Sequence, residues 1–342
     1  KRALCYTYTK GGQIKTQTDL SGVITEYEYD KNQRLIGIKE RGQQIVTYQY
    51  DLAGFLKEIC FANGVQLIYQ YDEEKQLTQL QMRGKEGEVF FSYLYAYDWN
   101  GNQILKQGKE GSLSSGKTEY TYDAMQRLKQ VCYPDGTEEV FGYDLAGNRI
   151  YKREGNQEEQ YTYDKRNRLE QYLKIDRKNP NTPKQKTTYT YDAQGNTLTE
   201  FVTRNRGKEE EVWEDFQRKR YDYTLFQMTK CVEQENFKTQ TKEVQRNQYD
   251  AENFRYGVEE NGEQTYFITD GWNVFAETDA DWNWKKRLIR GYGITASEER
   301  REKNTYHYYH TNEHGDIEIL TNKKGEICNQ YQYDAFGGRR KA

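Results

Sequence analysis

The sequence predicts an all-β protein built from tandem antiparallel hairpins, and two observations carry this prediction. The dipeptide Tyr-Asp recurs eleven times, although 32 Tyr in 342 residues would give only about two such pairs by chance. Aromatic residues make up 15% of the chain and there are only 3 Pro, a composition that favours pleated, half-buried strands. A tandem array of strand pairs therefore covers nearly the whole chain.

Each repeat begins with the pattern Y-x-Y-D, and successive copies are 20 to 30 residues apart, except for a last gap of 84 residues, which is four periods of 21. The two tyrosines share one face of a strand, and the aspartate can cap a turn through nearby backbone amides. A glycine often follows three positions later and supplies the positive φ that a tight reversal needs. A leucine or isoleucine then starts the return strand, so each repeat is a hairpin.

The aspartates of these turns are interpreted as structural. A catalytic carboxylate needs a unique pocket, whereas these recur at one position of a repeat, so we expect turn capping and no acid-base chemistry. Asp222 completes the eleven Tyr-Asp pairs. The residues predicted to hold repeat turns are Asp30, Asp51, Asp72, Asp98, Asp123, Asp144, Asp164, Asp192, Asp250 and Asp334.

Four polar insertions interrupt the array, at 106–117, 174–186, 204–220 and 297–304. Because the repeats continue in phase on both sides, we expect hairpin tips or loops at one rim of the sheet instead of domain linkers. The mixed-charge run 208–220 is predicted as a solvated loop, with a short helix as the alternative.

Charge and motif content exclude several classes of function. Fifty-one basic against 54 acidic side chains create no field that attracts nucleic acid, and no apolar run of about 18 residues predicts membrane insertion. The five cysteines include no CxxC pair, which argues against a zinc ribbon. No catalytic motif is present, so we expect neither enzyme activity nor a cofactor.

Two smaller groups of residues are weighed as sites. His307, His310 and His314 could bind a transition metal, but we favour packing, because residues 307 and 310 point to opposite faces of a strand. Cys60, Cys132 and Cys231 each lie nine residues after a Tyr-Asp aspartate. We predict that these three thiols share one register of the hairpin and are inert.

The motif set resembles the Rhs, or YD-repeat, family, which includes bacterial polymorphic-toxin shells, components of insecticidal toxin complexes and teneurins. The stretches "TDGWNVFAETDADWNWKKRLIRGYG" and "YYHTNEHGDIEILTNKKGEICNQYQYDAFG" are similar to the family's C-terminal core segment. The resemblance implies a long antiparallel sheet coiled into a spiral, as a partial hollow shell. It divides the chain into a repeat array, 1–265, and a core-like region, 266–342, continuous with it.

Two departures from the family pattern concern the C-terminal core. Asn312 replaces the aspartate of the family's HTD turn, and His314 replaces a leucine. Self-cleavage segments of the family lie downstream of Ala342, so autoproteolysis is not assigned to these residues.

The resemblance implies a non-catalytic shell segment that encapsulates and helps to deliver a C-terminal toxin or effector, in a secreted or bacterial cell-surface protein. About 30 strands of roughly eight residues would form a sheet with about half of the area needed to enclose a 150-residue cargo. An alternative is a carbohydrate-binding or adhesion module in which Trp272, Trp282 and Trp284 stack on surface glycans. A remnant without cargo is a third reading.

Overall fold

The computed structural model describes residues 4–110, 116–178, 183–207, 211–300 and 305–340. These described residues form 31 strands and no α-helix. Twenty-nine of the strands belong to one antiparallel sheet, and the last two form a small sheet of their own. The all-β, antiparallel prediction is therefore confirmed. Within the same residues there is no helix with the length and apolar character needed to cross a membrane.

The strands follow one another as hairpins along the chain. The first ten are β1 (Cys5–Tyr8), β2 (Ile14–Thr18), β3 (Ile24–Tyr29), β4 (Leu35–Glu40), β5 (Gln43–Tyr50), β6 (Leu56–Phe61), β7 (Gln66–Tyr71), β8 (Leu77–Arg83), β9 (Val89–Tyr97) and β10 (Gln103–Glu110). Next come β11 (Gly116–Tyr122), β12 (Leu128–Cys132), β13 (Glu138–Tyr143), β14 (Arg149–Glu154), β15 (Gln157–Tyr163), β16 (Leu169–Asp176), β17 (Gln185–Tyr191), β18 (Thr197–Asn205), β19 (Trp213–Tyr223), β20 (Thr229–Asn236), β21 (Thr241–Tyr249), β22 (Arg255–Glu260) and β23 (Glu263–Asp270). The last eight are β24 (Asn273–Thr278), β25 (Trp284–Arg290), β26 (Ile294–Glu299), β27 (Tyr306–Thr311), β28 (Ile317–Thr321), β29 (Ile327–Gln330), β30 (Gln332–Tyr333) and β31 (Arg339–Arg340).

The chain packs as two compact units. The first unit comprises Lys1–Lys117, Asn273–Thr278 and Asn283–Ala342, and the second comprises Thr118–Trp272 and Asp279–Trp282. The boundary proposed between residues 265 and 266 follows the type of repeat and not the packing, so it stays a prediction.

The repeat turns share a bulge that the sequence did not indicate. In the β15–β16 hairpin, Thr162 lies opposite Gln171 but Tyr163 lies opposite Leu169, so the return strand carries one extra residue. The same shift occurs next to the turns of the β5–β6 and β13–β14 hairpins. A bulge at a fixed place increases the local twist of each hairpin.

A buried hydrophobic cluster lies in the first unit. There, Ile289, Ala296 and Ile319 of the C-terminal strands pack with residues of β4 to β9 such as Val46 and Leu80. Strands β25 to β28 therefore cover one face of the N-terminal repeats. In the second unit the buried hydrophobic side chains are fewer: Val131, Tyr133, Phe141, Ile175, Val202 and Val258.

The insertions are partly strands. Trp213–Tyr223 is a strand of 11 residues that pairs with β18, so both the loop and the helix expected for 208–220 are wrong over 213–220. The polar sequence did not indicate a strand, because both faces of a hairpin can carry charged side chains. For example, the Arg204 guanidinium stacks on the Phe216 ring at 3.3 Å. Residues 111–115, 179–182, 208–210 and 301–304 of the insertions lie outside the described residues.

Candidate functional site

The Y-x-Y-D turns are built around the aspartate side chain. In one of them, the backbone N–H groups of Arg166 and Arg168 donate to Asp164 Oδ1 at 2.8 and 3.0 Å. Arg168 Nε also donates to Asp164 Oδ2, at 2.7 Å. These bonds, led by the backbone N–H of Arg168, lower the pKa of the Asp164 carboxyl to about 2.

The same turn recurs along the chain. At each of the ten turn aspartates named from the sequence, Oδ1 accepts the backbone N–H of the residue four positions on. The next-to-last residue of each turn adopts a positive φ, and it is glycine only in some copies. Other copies place a larger residue there: Gln33, Lys75, Gln126, Asn167, Gln227 and Asn253.

Asp222 is not a turn residue. It lies inside β19 opposite Cys231, and the turn is held by Thr224, whose Oγ1 accepts the N–H of Met228 at 3.2 Å. Thr9 caps the first turn through Gln13 in the same way. Cys231 therefore lies seven residues after its turn residue and not nine, so the register predicted for it with Cys60 and Cys132 is wrong.

Tyrosine hydroxyls link successive hairpins. The tyrosine directly before the turn residue donates its hydroxyl to a backbone carbonyl at the start of the preceding return strand. For example, Tyr163 donates to Arg149 O at 2.9 Å and Tyr191 to Leu169 O at 2.6 Å. The bond is repeated by Tyr29, Tyr50, Tyr97, Tyr143, Tyr223, Tyr249 and Tyr333. Phenylalanine cannot make this bond, which explains why the motif uses tyrosine.

Arginine adds a second link between neighbouring turns. Arg168 forms an ion pair with Asp164 at 2.7 Å, and its guanidinium lies 4.6 Å from the centre of the Tyr191 ring in the next repeat. Arg127 stacks in the same way on Tyr143, at 4.7 Å. Each such arginine is held in place by its own turn and stabilises the next one.

The histidines differ in environment. His310 is fully buried, its Nε2 lies 2.8 Å from Thr321 Oγ1, and Phe61 packs against its ring. Burial lowers the pKa of His310 to about 3, whereas the His314 side chain is 64% exposed. In the part of the chain that the structure describes, no group of three His, Cys, Asp or Glu side chains is placed to hold a metal.

Asn312 caps the turn between β27 and β28 as an aspartate does in the other turns. Its Oδ1 accepts the backbone N–H groups of His314 and Asp316, both at 2.9 Å. The neighbouring Glu313 is buried and accepts the Tyr95 hydroxyl and Lys106 Nζ, each at 3.0 Å. The departure from the HTD pattern thus leaves the turn geometry intact.

The three tryptophans proposed to stack on glycans are divided between the units. In the second unit, the Trp282 ring is parallel to Tyr266 at 4.4 Å, and Trp272 is 86% exposed with its edge against Phe254. Trp284 belongs to the first unit. The described packing therefore does not place the three rings on one platform within a unit.

Parts of this chain are similar in sequence to a known family and to known bacterial proteins. The teneurin YD-shell family model matches residues 63–210. The tRNA nuclease WapA of Bacillus subtilis is 27% identical over 230 residues, which is 64% of this chain but 8% of that protein. A tRNA3(Ser)-specific nuclease WapA of Bacillus spizizenii is 26% identical over 233 residues, with the same coverage.

Solved structures match nearly the whole chain. The crystal structure of TcdB2-TccC3-Cdc42 covers 98% of this chain with a TM-score of 0.62 at 18% identity. The Tc holotoxin pore of Photorhabdus luminescens covers 99% with a TM-score of 0.52 at 17% identity. This chain spans 18% of each of those chains. At such identities the likeness shows the fold alone.

The turns, the tyrosine links and the sheet of the described residues define a structural class, a repeat protein of antiparallel hairpins. The period and the motif agree with the teneurin YD-shell model, which covers somewhat less than half of the chain. Over residues 63–210 the chain is therefore similar to the YD-shell repeats of teneurins.

Proposed function

We propose that this segment is wall of a shell that encloses a polypeptide effector and helps to deliver it. The observation that carries the proposal is the match of 98% of the chain to TcdB2-TccC3. One structure of that assembly is described as lacking a hypervariable C-terminal region, which supports a shell wall joined to a variable cargo. The mechanism would be confinement, since an enclosed effector cannot meet its target.

The wall has the physical properties that such a role needs. In the second unit, hydroxyl-to-carbonyl bonds and arginine stacks join neighbouring hairpins, so the sheet there is held with few buried apolar side chains. The fixed bulge beside the turns of successive hairpins favours a steadily twisting sheet.

Protease protection of the full-length polypeptide that contains this segment would test the enclosure. We expect the effector part to resist a protease that digests the same effector expressed alone, and to show no activity until the shell is opened with denaturant. An effector that is cleaved equally fast with and without the shell would contradict enclosure.

We further propose that the segment itself is not catalytic, and that the nuclease activity named for the WapA relatives lies outside the part they share with this chain, which is 8% of their length. The purified segment should leave total tRNA intact under conditions in which a nuclease control degrades it. Cleavage that is lost on changing a single described residue would overturn this proposal.

A secreted or cell-surface location is part of the proposal, and surface glycans are a second candidate partner. Trp272 favours the glycan candidate because 86% of it is exposed. Glycan-array binding that Trp272→Ala and Trp282→Ala abolish would support it, and an unchanged array would exclude both residues as stacking sites.

A further inference from the structure

The first unit contains a buried ion cluster that neither the repeat motif nor the shell fold explains. The Arg287 guanidinium contacts the carboxylates of Asp19, Glu40 and Glu298. The side chains of Glu40 and Glu298 are fully buried, and that of Arg287 is 5% exposed. Charges are rarely buried to this extent, so the cluster needs a physical reason.

A second cation and a tyrosine complete the network. Arg41 Nη2 lies 3.0 Å from Glu298 and its Nη1 lies 3.3 Å from Glu40. The Tyr306 hydroxyl accepts from Arg41 Nη1 at 2.7 Å and donates to Glu40 Oε2 at 2.5 Å. We call these six residues the Arg287 cluster: Asp19, Glu40, Arg41, Arg287, Glu298 and Tyr306.

The cluster joins two parts of the chain that are far apart in sequence. Asp19, Glu40 and Arg41 belong to the N-terminal repeats, whereas Arg287 and Glu298 lie on β25 and β26. Further polar pairs cross the same joint: Tyr48 with Thr295 at 3.2 Å, Asn63 with Thr321 at 2.8 Å, and Tyr93 with Glu318 at 2.7 Å. Between them the joint is apolar.

Stability alone does not account for such a cluster. Removing one member of a buried ion network is strongly destabilising, but replacing the network by apolar residues is often neutral or stabilising. What ion clusters supply is geometric selection. A purely apolar face tolerates a slip of two residues, which keeps the same side chains inward, whereas three carboxylates converging on one guanidinium fit a single register.

We propose that the Arg287 cluster is a clasp: it fixes the register in which β25 to β28 dock on the N-terminal repeats, and it keeps this docking reversible. When β25 to β28 separate from the N-terminal repeats, the charged groups are hydrated again. The open state is therefore lower in free energy than it would be if the exposed face were apolar. The clasp thus makes the joint specific when closed and able to open without unfolding the repeats.

Hydrogen exchange on the full chain tests the clasp, with residues 213–249 of the second unit as the internal reference. Arg287→Met leaves buried carboxylates without their main counter-charge, so exchange of residues 284–300 and 305–321 should rise by about 100-fold. The triple change Arg287→Met, Glu40→Leu and Glu298→Leu replaces the three most deeply buried charges by apolar side chains, and leaves the more exposed Asp19 and Arg41 charged. It should slow exchange of the same segments by about tenfold relative to the unchanged chain.

Arg153→Met is the matched control, because Arg153 forms an arginine–glutamate pair with Glu158 in the second unit and is partly exposed. It should leave exchange of residues 284–300 and 305–321 unchanged. If Arg287→Met does not fold, the triple variant decides alone. Exchange as fast as in the unchanged chain, or faster, in the triple variant would overturn the clasp, and so would an Arg287→Met protein that folds with unaltered exchange.

Discussion

Gly315 closes the turn between β27 and β28 with a φ of +85°, and a Cβ added there would meet no atom within 4 Å. Any loss of stability on changing it to alanine therefore reports backbone conformation and not crowding. Six repeat turns place a larger residue at the equivalent position, for example Lys75 at +70°. The fold tolerates this strain because each aspartate or threonine cap over-determines its turn.

Gly315→Ala should lower the free energy of unfolding of the first unit by about 1–2 kcal/mol, the penalty for a Cβ in the left-handed region. Urea denaturation followed by circular dichroism measures it. Gly293→Ala is the control, because Gly293 has equal space and no positive φ. Equal losses for the two variants would show that the left-handed conformation is not the cause.

Asp164 makes the stability of its turn depend on pH. Its pKa is about 2 when folded, below the value of 3.8 for a free aspartate. A lowered pKa means that the charged form stabilises the fold. The contribution is fully present above about pH 4 and is lost as the pH falls through about 2. A titration of the carboxyl by NMR should give a midpoint near 2.

The control for this titration is Asp164→Asn, which keeps a turn-capping oxygen but cannot titrate. Between pH 4 and pH 2 the second unit of the variant should lose less stability than the unchanged chain does, because one linked proton is absent. A midpoint near 4 for the Asp164 carboxyl would show that the turn bonds do not favour the charged form.

The tyrosine links act between elements, since each hydroxyl bridges two hairpins. Tyr163→Phe removes the bond to Arg149 O, at 2.9 Å, and leaves a partly buried carbonyl without that partner. We expect a loss of about 1 kcal/mol in the free energy of unfolding. Tyr151→Phe is the control, because the Tyr151 ring packs under Arg153 in the same hairpin and the structure gives its hydroxyl no such bridge.

If Tyr151→Phe costs as much as Tyr163→Phe, the effect belongs to the ring or to solvation and not to the bridge. Exchange of the β14 and β15 amides would separate these readings, because loss of the bridge should raise exchange on both strands while loss of a surface hydroxyl should not.

The hairpins themselves could be predicted from the sequence, since Y-x-Y-D fixes strand face, turn residue and period together. Asp222 shows the limit of that signal. The string Tyr221-Asp222-Tyr223-Thr224 allows either Asp222 or Thr224 as the turn residue, and only the pairing with β20 selects Thr224. The strand at 213–220 was missed because a run of charges looks alike in a loop and in a hairpin with two polar faces.

Docking of the C-terminal strands lay beyond the reach of the sequence. Arg287 and Glu40 are separated by 247 residues, and no periodicity connects a buried arginine on β25 with a carboxylate on β4. The one available signal was the family resemblance of 269–337, which marks the region as distinct but does not say what it packs on. Contacts of this kind depend on the packing of the whole first unit.

The two units differ in the interactions that stabilise them, and this difference predicts the order in which they unfold. Tightly buried side chains such as Ile38, Leu67, Leu80 and Met82 join β4 to β9 with β25 to β28 in the first unit. The second unit depends more on ladders, tyrosine links and ion pairs. Burial of apolar groups contributes about 25 cal/mol per Å², whereas partly exposed ion pairs contribute at most about 1 kcal/mol each.

We therefore expect hydrogen exchange in rising urea to release the amides of β13 to β16 before those of β4 to β9. Leu80→Ala should reduce the difference in urea concentration between these two releases, because a cavity in the first unit costs about 2–5 kcal/mol. Ile150→Ala should leave this difference unchanged, since Ile150 is 38% exposed. Simultaneous release of both sets of amides in the unchanged chain would show that the units unfold as one cooperative body, in which case buried apolar packing in the first unit also sets the stability of the second.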